Sequence, residues 1–166
     1  MAIYSKKVLS HFQKPHNFGK IQNPDGVGEA GNIVCGDVMF LYIKVDKNKK
    51  GEEIIKDIKF ETYGCVAAIA TSSMITDLAK GKTIKEALAM QKETIVKSLD
   101  FLPPIKIHCS LLATDALKEA IFDYLIKQQK PIPEDLLQIH NRITEHKNKI
   151  EERYKDWHEF EKKSRI

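Results

Sequence analysis

The residues best suited to chemistry are the three cysteines of the chain, Cys35, Cys65 and Cys109. They are odd in number and widely spaced, and no Cys-x-x-Cys pair points to a compact zinc finger or ribbon. Each one alone could equally be a small buried apolar side chain. Their neighbours favour metal binding, because Asp37 follows Cys35 by two positions and His108 directly precedes Cys109. Thiolates, a carboxylate and an imidazole suit zinc or iron, and thiolates in particular suit iron–sulfur clusters.

Each cysteine falls where a secondary-structure element is predicted to turn or to begin. Residues i and i+2 of a strand face the same side, so Cys35 and Asp37 could address one ion. Cys65 lies at a strand-to-helix junction after Gly64, where the helix dipole favours thiolate over thiol. Cys109 opens a predicted helix in the same way. The three segments are far apart in the sequence, so a shared site could form only in the folded domain.

The first half of the chain predicts an α+β fold with a small antiparallel sheet. Amphipathic spacing predicts a helix over residues 3–12, followed by an irregular segment rich in Pro, Asn and Gly. β-branched and aromatic runs predict three strands, within residues 32–34, 38–45 and 54–64. An Ala- and Ser-rich helix follows from residue 65 and ends at Lys80-Gly81. Its small side chains predict close packing against a neighbour, the sheet in particular.

Helices are predicted to fill the second half of the chain. Thr83 and Glu86 form a capping-box pattern that predicts a short helix. Pro103-Pro104 predicts an extended segment, and an amphipathic helix is expected from His108 to about Lys130. These boundaries divide the chain into a domain of residues 1–130 and a helical extension of residues 131–166.

The extension carries apolar residues at spacings near 3.5, interrupted at His146 and Lys147. Two interpretations stay open. The favoured one is a helix that lies on its own domain, and the alternative is a helix that mediates homo-oligomerisation or partner docking. The apolar positions are Leu136, Ile139, Ile143, Ile150, Trp157 and Phe160.

Composition narrows the classes of function. The chain has 166 residues, of which 42% are hydrophobic and 30% charged, and a net charge of +4. The basic residues form no clustered patch, which argues against nucleic-acid binding. No apolar stretch approaches the ~20 residues of a membrane span, and the N-terminus lacks the apolar region of a secretory signal. We therefore expect a cytoplasmic protein that associates with neither nucleic acid nor membrane.

Over residues 1 to about 130 the chain resembles the IscU family of iron–sulfur cluster assembly scaffolds, which is similar to the N-terminal domain of NifU. The resemblance depends on many motifs in order and at compatible spacing. They are Tyr4, His11-Phe12, Pro15, Asn17 and Gly19; Gly28 and Cys35-Gly36-Asp37-Val38-Met39; Thr62-Tyr63-Gly64-Cys65, Ala68-Ile69-Ala70 and Ser72-Ser73; and Leu102-Pro103-Pro104-Ile105-Lys106-Ile107-His108-Cys109-Ser110.

The resemblance implies a scaffold or carrier rather than an enzyme. It implies that the three cysteines hold the cluster, that Asp37 ligates metal and keeps the cluster labile, and that His108 is an alternate ligand. Cys109 matches the usual acceptor of persulfide sulfur from a cysteine desulfurase. The expected cargo is a transient iron–sulfur cluster, [2Fe–2S] in type, although the residues themselves do not separate it from [4Fe–4S]; zinc is expected in the purified protein.

Other partners are also implied by the resemblance. The segment Leu102-Pro103-Pro104-Ile105-Lys106 matches the one read by an Hsp70-type chaperone system, with Ile105 where valine is common. Ferredoxin and acceptor apoproteins complete the expected partners. Val66 departs from the family pattern, since many members have glycine there, and the family says nothing about residues 131–166.

Two alternatives to a scaffold remain at this stage. One is a thiol hydrolase with a Cys/His/Asp site, which would need one activated cysteine and leaves the similar settings of the other two unexplained. The other is a structural or regulatory zinc site, which the same ligands could form.

Overall fold

The computed structural model describes residues 3–31 and 36–164, with side-chain surroundings for all of these except 150, 153–154 and 156–164. The elements in chain order are α1 (Lys6–Gln13), β1 (Gly26–Gly31), β2 (Val38–Lys47), β3 (Glu53–Tyr63), α2 (Val66–Ala79), α3 (Ile84–Leu88), α4 (Lys92–Ser98), a 3-10 turn (Pro104–Lys106), α5 (Ile107–Lys127) and α6 (Glu134–Ser164). The predicted α+β class is confirmed.

The three strands form one antiparallel sheet in the order β1-β2-β3. Alternate side chains of the central strand β2, Met39, Leu41 and Ile43, are fully buried. This alternation places one face of the sheet in the core, where β1 and β2 pack against α5.

The first strand begins earlier than its sequence predicts. The predicted strand covered residues 32–34, which lie outside the described residues, whereas β1 runs from Gly26 to Gly31. Its glycines obscured it, because glycine is a poor strand former. The structure explains them: a Cβ on Gly28 would lie 2.0 Å from the Ala116 carbonyl oxygen of α5. Only glycine allows the strand to approach that helix so closely.

Helix α2 is almost entirely buried, as its small residues predict. It packs against β3, and also against α1 and α5, so the sheet is one of three neighbours. Two of its buried hydroxyl groups are satisfied within the helix: Ser72 Oγ donates to the Ala68 carbonyl at 2.7 Å, and Thr76 Oγ1 donates to the Ser73 carbonyl at 2.7 Å.

The segment between α2 and α5 confirms one prediction and corrects two. The capping box forms as predicted: Thr83 Oγ1 accepts from the Glu86 N–H at 3.1 Å, and Glu86 accepts from the Thr83 N–H at 2.8 Å. Helix α4 was not predicted, since its N-cap Gln91 makes no side-chain cap and Ile95 is its one buried residue. The Pro–Pro segment is not fully extended, because Pro104 begins a 3-10 turn, a position where proline loses no hydrogen bond.

Helix α6 continues through His146 and Lys147, where the pattern predicted an interruption. Its first half lies on α5 and β1, with Leu136 and Ile143 buried. The favoured interpretation, a helix packed on its own domain, therefore describes this half. Within the described part of the chain, none of the helices is both long and apolar enough to cross a membrane.

Candidate functional site

Three element ends meet at one side of the domain. Asp37 directly precedes β2, Cys65 is the N-cap of α2, and Cys109 lies in the first turn of α5. Asp37 Oδ2 lies 3.9 Å from Cys65 Sγ and 3.8 Å from Cys109 Sγ, and the two sulfur atoms are 3.9 Å apart. Cys65 and Cys109, which are 44 positions apart in the sequence, thus share the Asp37 carboxylate as a neighbour.

Asp37 lies just before a strand and not within it. The sequence placed Cys35 and Asp37 on one strand, but β2 begins only at Val38. Gly36 has a φ of +70°, in the left-handed region that favours glycine, so the chain turns immediately before Asp37. Cys35 lies outside the described residues, and its place in the site stays a prediction.

Gly64 lies at the bend between β3 and α2, and it also provides space. A Cβ at this position would lie 3.1 Å from Cγ and Oδ1 of Asp37 and 2.7 Å from the Ala68 Cβ. The sequence predicts this glycine at the junction between β3 and α2, and the chain does bend there. The close approach of the Asp37 carboxyl group to the backbone of that junction is a second reason for glycine.

His108 adds an imidazole to the same group. One ligand atom each from Asp37, His108 and Cys109 lie within 4.8 Å of one another. The Nε2 atom of His108 is buried and has no hydrogen-bond partner in the described part of the chain. Because an unsatisfied buried polar atom costs about 1–3 kcal/mol, its persistence at a cluster of thiols fits a ligand position. The donor set therefore suits iron or zinc.

Two residues that the thiols influence were not predicted from the sequence to lie beside them. The negative charge of Cys65 is the largest influence on Lys106, and it raises the pKa of that amine. Burial raises the pKa of Tyr4, and the charges of Cys65 and Cys109 add to this effect. Tyr4 and Lys106 were noted only within family motifs. Tertiary packing brings these two residues close to the thiols, so no local sequence pattern could have revealed it.

The segment assigned to a chaperone is only partly accessible. Leu102 is fully buried in the core, whereas Ile105 is 77% exposed. Pro104 is also exposed, and Pro103 and Lys106 are half-buried. A partner could contact the exposed residues directly, but Leu102 acts as an internal anchor of the segment. The chaperone role stays a prediction.

Fold and site together define a small α+β domain that presents thiols, a carboxylate and an imidazole at one end. Comparison with known proteins identifies the family. The family model described as "NifU-like N terminal domain" matches residues 3–131.

Curated relatives agree with that match. The chain is 56% identical over 128 residues to "Iron-sulfur cluster assembly scaffold protein IscU 1" of Archaeoglobus fulgidus, which covers 77% of this chain and 80% of that protein. It is 51% identical over 128 residues to "Iron-sulfur cluster assembly scaffold protein IscU" of Haemophilus influenzae, covering 75% of this chain and 98% of that protein.

A solved structure also matches. The putative iron–sulfur cluster assembly scaffold protein for the SUF system from Fervidobacterium islandicum superposes with a TM-score of 0.55 at 26% identity, over 72% of this chain and 96% of that one. This chain therefore belongs to the NifU-like N-terminal domain family, which includes the IscU scaffolds. The resemblance read from the motifs is confirmed.

Proposed function

We propose that this protein is a scaffold on which an iron–sulfur cluster is assembled and from which it is transferred to acceptor apoproteins. The observation that carries this proposal is the convergence of Asp37, Cys65 and Cys109, whose Oδ2 and two Sγ atoms all lie within 4 Å of one another. The names of the curated relatives support the same role.

The chemistry of the donor set fits a temporary cargo. Four thiolates form the closed shell typical of clusters that carry electrons. Here thiolates from Cys35, Cys65 and Cys109 would share the cargo with the harder carboxylate of Asp37, and His108 would serve as an alternate ligand. A carboxylate holds iron less firmly than a thiolate, because iron in clusters prefers soft sulfur ligands. Such a site can exchange ligands with an acceptor protein.

Sulfur delivery assigns a separate step to Cys109. Its thiolate would attack the outer sulfur of a desulfurase persulfide, forming a new S–S bond and releasing the desulfurase thiolate. Reduction of that sulfur to sulfide then needs two electrons, for which a ferredoxin is the expected donor. Cys109 is only 1% exposed. The transfer therefore requires a local rearrangement that exposes the Cys109 sulfur to the desulfurase.

The remaining assignments are also proposals. The cargo is taken to be [2Fe–2S], and zinc to occupy the same ligands when iron is absent. Residues 1–130 would form the scaffold domain and residues 131–166 an extension. The chaperone, a homo-oligomer, the cytoplasmic location and the absence of enzymatic turnover likewise stay predictions.

The experiment is anaerobic reconstitution of the full chain with iron and sulfide, followed by visible absorption. We expect a cluster chromophore in the parent protein and its loss in Cys35→Ser, Cys65→Ser and Cys109→Ser separately. A parent protein that forms no chromophore and retains only zinc would contradict the proposal in favour of structural zinc. A hydrolase would instead lose an activity with one cysteine only.

The lability assigned to Asp37 has its own test. We expect Asp37→Ala to hold a longer-lived cluster that is transferred more slowly to an apoprotein. Asp57→Ala is the matched control, since Asp57 is a carboxylate on β3 paired with Lys80 at 3.0 Å. Equal transfer rates for Asp37→Ala and the parent would remove this role from Asp37.

A further inference from the structure

A second group of ligand-type side chains lies away from the thiols. His11 is in the last turn of α1, His16 follows in the loop, and Asp77 is near the end of α2. One ligand atom from each of these three residues lies within 4.8 Å of the other two. Asp77 follows Cys65 by 12 residues along the same helix (77 − 65 = 12), which is about 18 Å of helix axis. The group is therefore separate from the thiol site.

Hydrogen bonds hold both imidazole rings in place. His11 Nδ1 lies 2.7 Å from Ser73 Oγ, and His16 Nδ1 lies 2.6 Å from Asp77 Oδ2. Asn17 supports the carboxylate by donating to Asp77 Oδ1 at 3.1 Å. The tautomer of His11 whose Nδ1 donates to Ser73 Oγ leaves the Nε2 lone pair for a metal, an arrangement typical of metal-bound histidines. At His16 a divalent cation would replace the proton shared with Asp77, so that Nδ1 and the carboxylate would both become ligands.

The group combines a buried ligand with access to solvent. His11 is 8% exposed. The nearby ammonium group of Lys7, one turn earlier on α1, is paired with Asp100 at 2.9 Å. His16 and Asp77 have side chains that are 53% and 37% exposed, so an ion can enter from solvent.

We propose that His11, His16 and Asp77 bind one divalent transition-metal ion, with zinc as the ion that best suits the set. Two imidazoles and one carboxylate are three protein ligands of the type zinc accepts, and they leave a fourth position for water. The ion would join α1 and the loop after it to α2. This site is independent of the proposed scaffold function, because none of its ligands belongs to the thiol group.

The experiment must first remove the competing thiols. In a full-length Cys35→Ser, Cys65→Ser, Cys109→Ser background whose fold is checked by circular dichroism, zinc is titrated by calorimetry. We expect binding of about one equivalent, weakened roughly 10- to 100-fold by His16→Ala. His146→Ala is the matched control, because His146 is an exposed histidine on α6, and it should leave the affinity unchanged. For the carboxylate, Asp77→Asn should weaken zinc binding, and its matched control Asp57→Asn should not.

A second measurement separates a metal site from a hydrogen-bonded contact without metal. Side-chain imidazole NMR should show zinc-dependent shifts for His11 and His16 but not for His146. If the cysteine-free background does not fold, the zinc content of the parent chain decides: His16→Ala should hold one equivalent less than His146→Ala. Absent zinc binding in the folded background, or equal binding by the His16→Ala and His146→Ala proteins, would overturn the proposal.

Discussion

Buried carboxylates occur in two regions of this protein, and their neighbours differ. Asp37 at the thiol end is 5% exposed and faces the sulfur atoms of Cys65 and Cys109, with no ion pair to it among the described residues. Asp115, on α5, is paired with Arg142 of α6 at 2.8 Å. The first carboxylate remains available to an incoming cation, whereas the second already has one.

We call the contacts of α5 and β1 with the first half of α6 the α5–α6 seam. A second acid–base pair lies in this seam. His140 pairs with Glu119 at 3.0 Å and stacks on Phe122 at 3.9 Å. Leu136 and Ile143 supply the buried apolar contacts. Acidic and basic side chains that pair with each other stabilise the fold. We therefore expect substitutions at the seam to alter the free energy of unfolding, and substitutions at the thiol end to alter cluster binding.

The largest stability effect should follow removal of residues 131–166. Burial of Leu136 and Ile143 is lost, at about 1.5–3 kcal/mol for each side chain, so the free energy of unfolding should fall by about 3–6 kcal/mol. Reconstitution of the cluster should persist, since the Haemophilus influenzae relative has 98% of its length within the matched region. Denaturant unfolding and visible absorption measure both quantities.

The control for this truncation uses two adjacent leucines. Leu136 is 1% exposed and Leu137 is 42% exposed, so Leu136→Ala should be clearly destabilising and Leu137→Ala nearly neutral. The mass of the truncated protein in solution tests the oligomeric alternative, because an unchanged mass removes any role of the extension in self-association. Loss of the cluster with truncation would break the separation between the two regions.

Gly64→Ala should act at the other region. The added Cβ would press on Ala68 and on the Asp37 carboxyl group, which costs about 1–3 kcal/mol and displaces Asp37. Gly51→Ala is the control, because Gly51 has a φ of +80° with no atom close to the new Cβ. Both variants should lose stability, but only Gly64→Ala should lose cluster yield on reconstitution. Equal yields would show that the space beside Asp37 is not needed.

Arg142→Ala should destabilise the seam by about 1–2 kcal/mol, because it leaves the buried Asp115 carboxylate without its partner. Burial already raises the pKa of Asp115 above its usual 3.8, and the Arg142 guanidinium opposes that rise. The ionised carboxylate therefore costs stability, which falls as pH increases from about 4 through the raised pKa. In the variant this fall should extend to higher pH.

Unfolding of Arg142→Ala between pH 4 and pH 8, with an NMR titration of Asp115, measures the shift. The double variant Arg142→Ala with Asp115→Asn removes the ionisable group at position 115 and should lose the part of the pH dependence that Asp115 contributes. A parallel pH profile for the parent and Arg142→Ala would contradict the pairing.

The smallest effect should come from Lys147→Ala. Lys147 pairs with Glu29 of β1 at 2.6 Å, but both side chains are well exposed, at 48% and 38%. Exposed pairs contribute only about 0–1 kcal/mol, so the unfolding midpoint should barely move, and less in high salt. A loss of stability equal to that of Arg142→Ala would show that solvent exposure does not determine how much each ion pair of the seam contributes.

Most elements of the fold were predictable because their signals are local. The Thr83–Glu86 capping box, the Gly81 helix end and the alternation of β2 each follow from residues within a few positions. The strand β1 and the helix α4 were missed. The first depends on glycines that make room for α5, and the second on a single buried residue, so neither leaves a local pattern.

The sequence by itself determined the ligand types and the element ends on which they lie: Cys65 begins α2 and Cys109 opens α5. Turn, capping and dipole effects act over a few residues and can be read locally. Only the tertiary structure decided that Asp37 lies within 4 Å of both sulfurs, that Gly64 makes room for it, and that His11 and His16 meet Asp77. Those distances depend on how helices pack on the sheet, and packing joins residues that no local pattern connects.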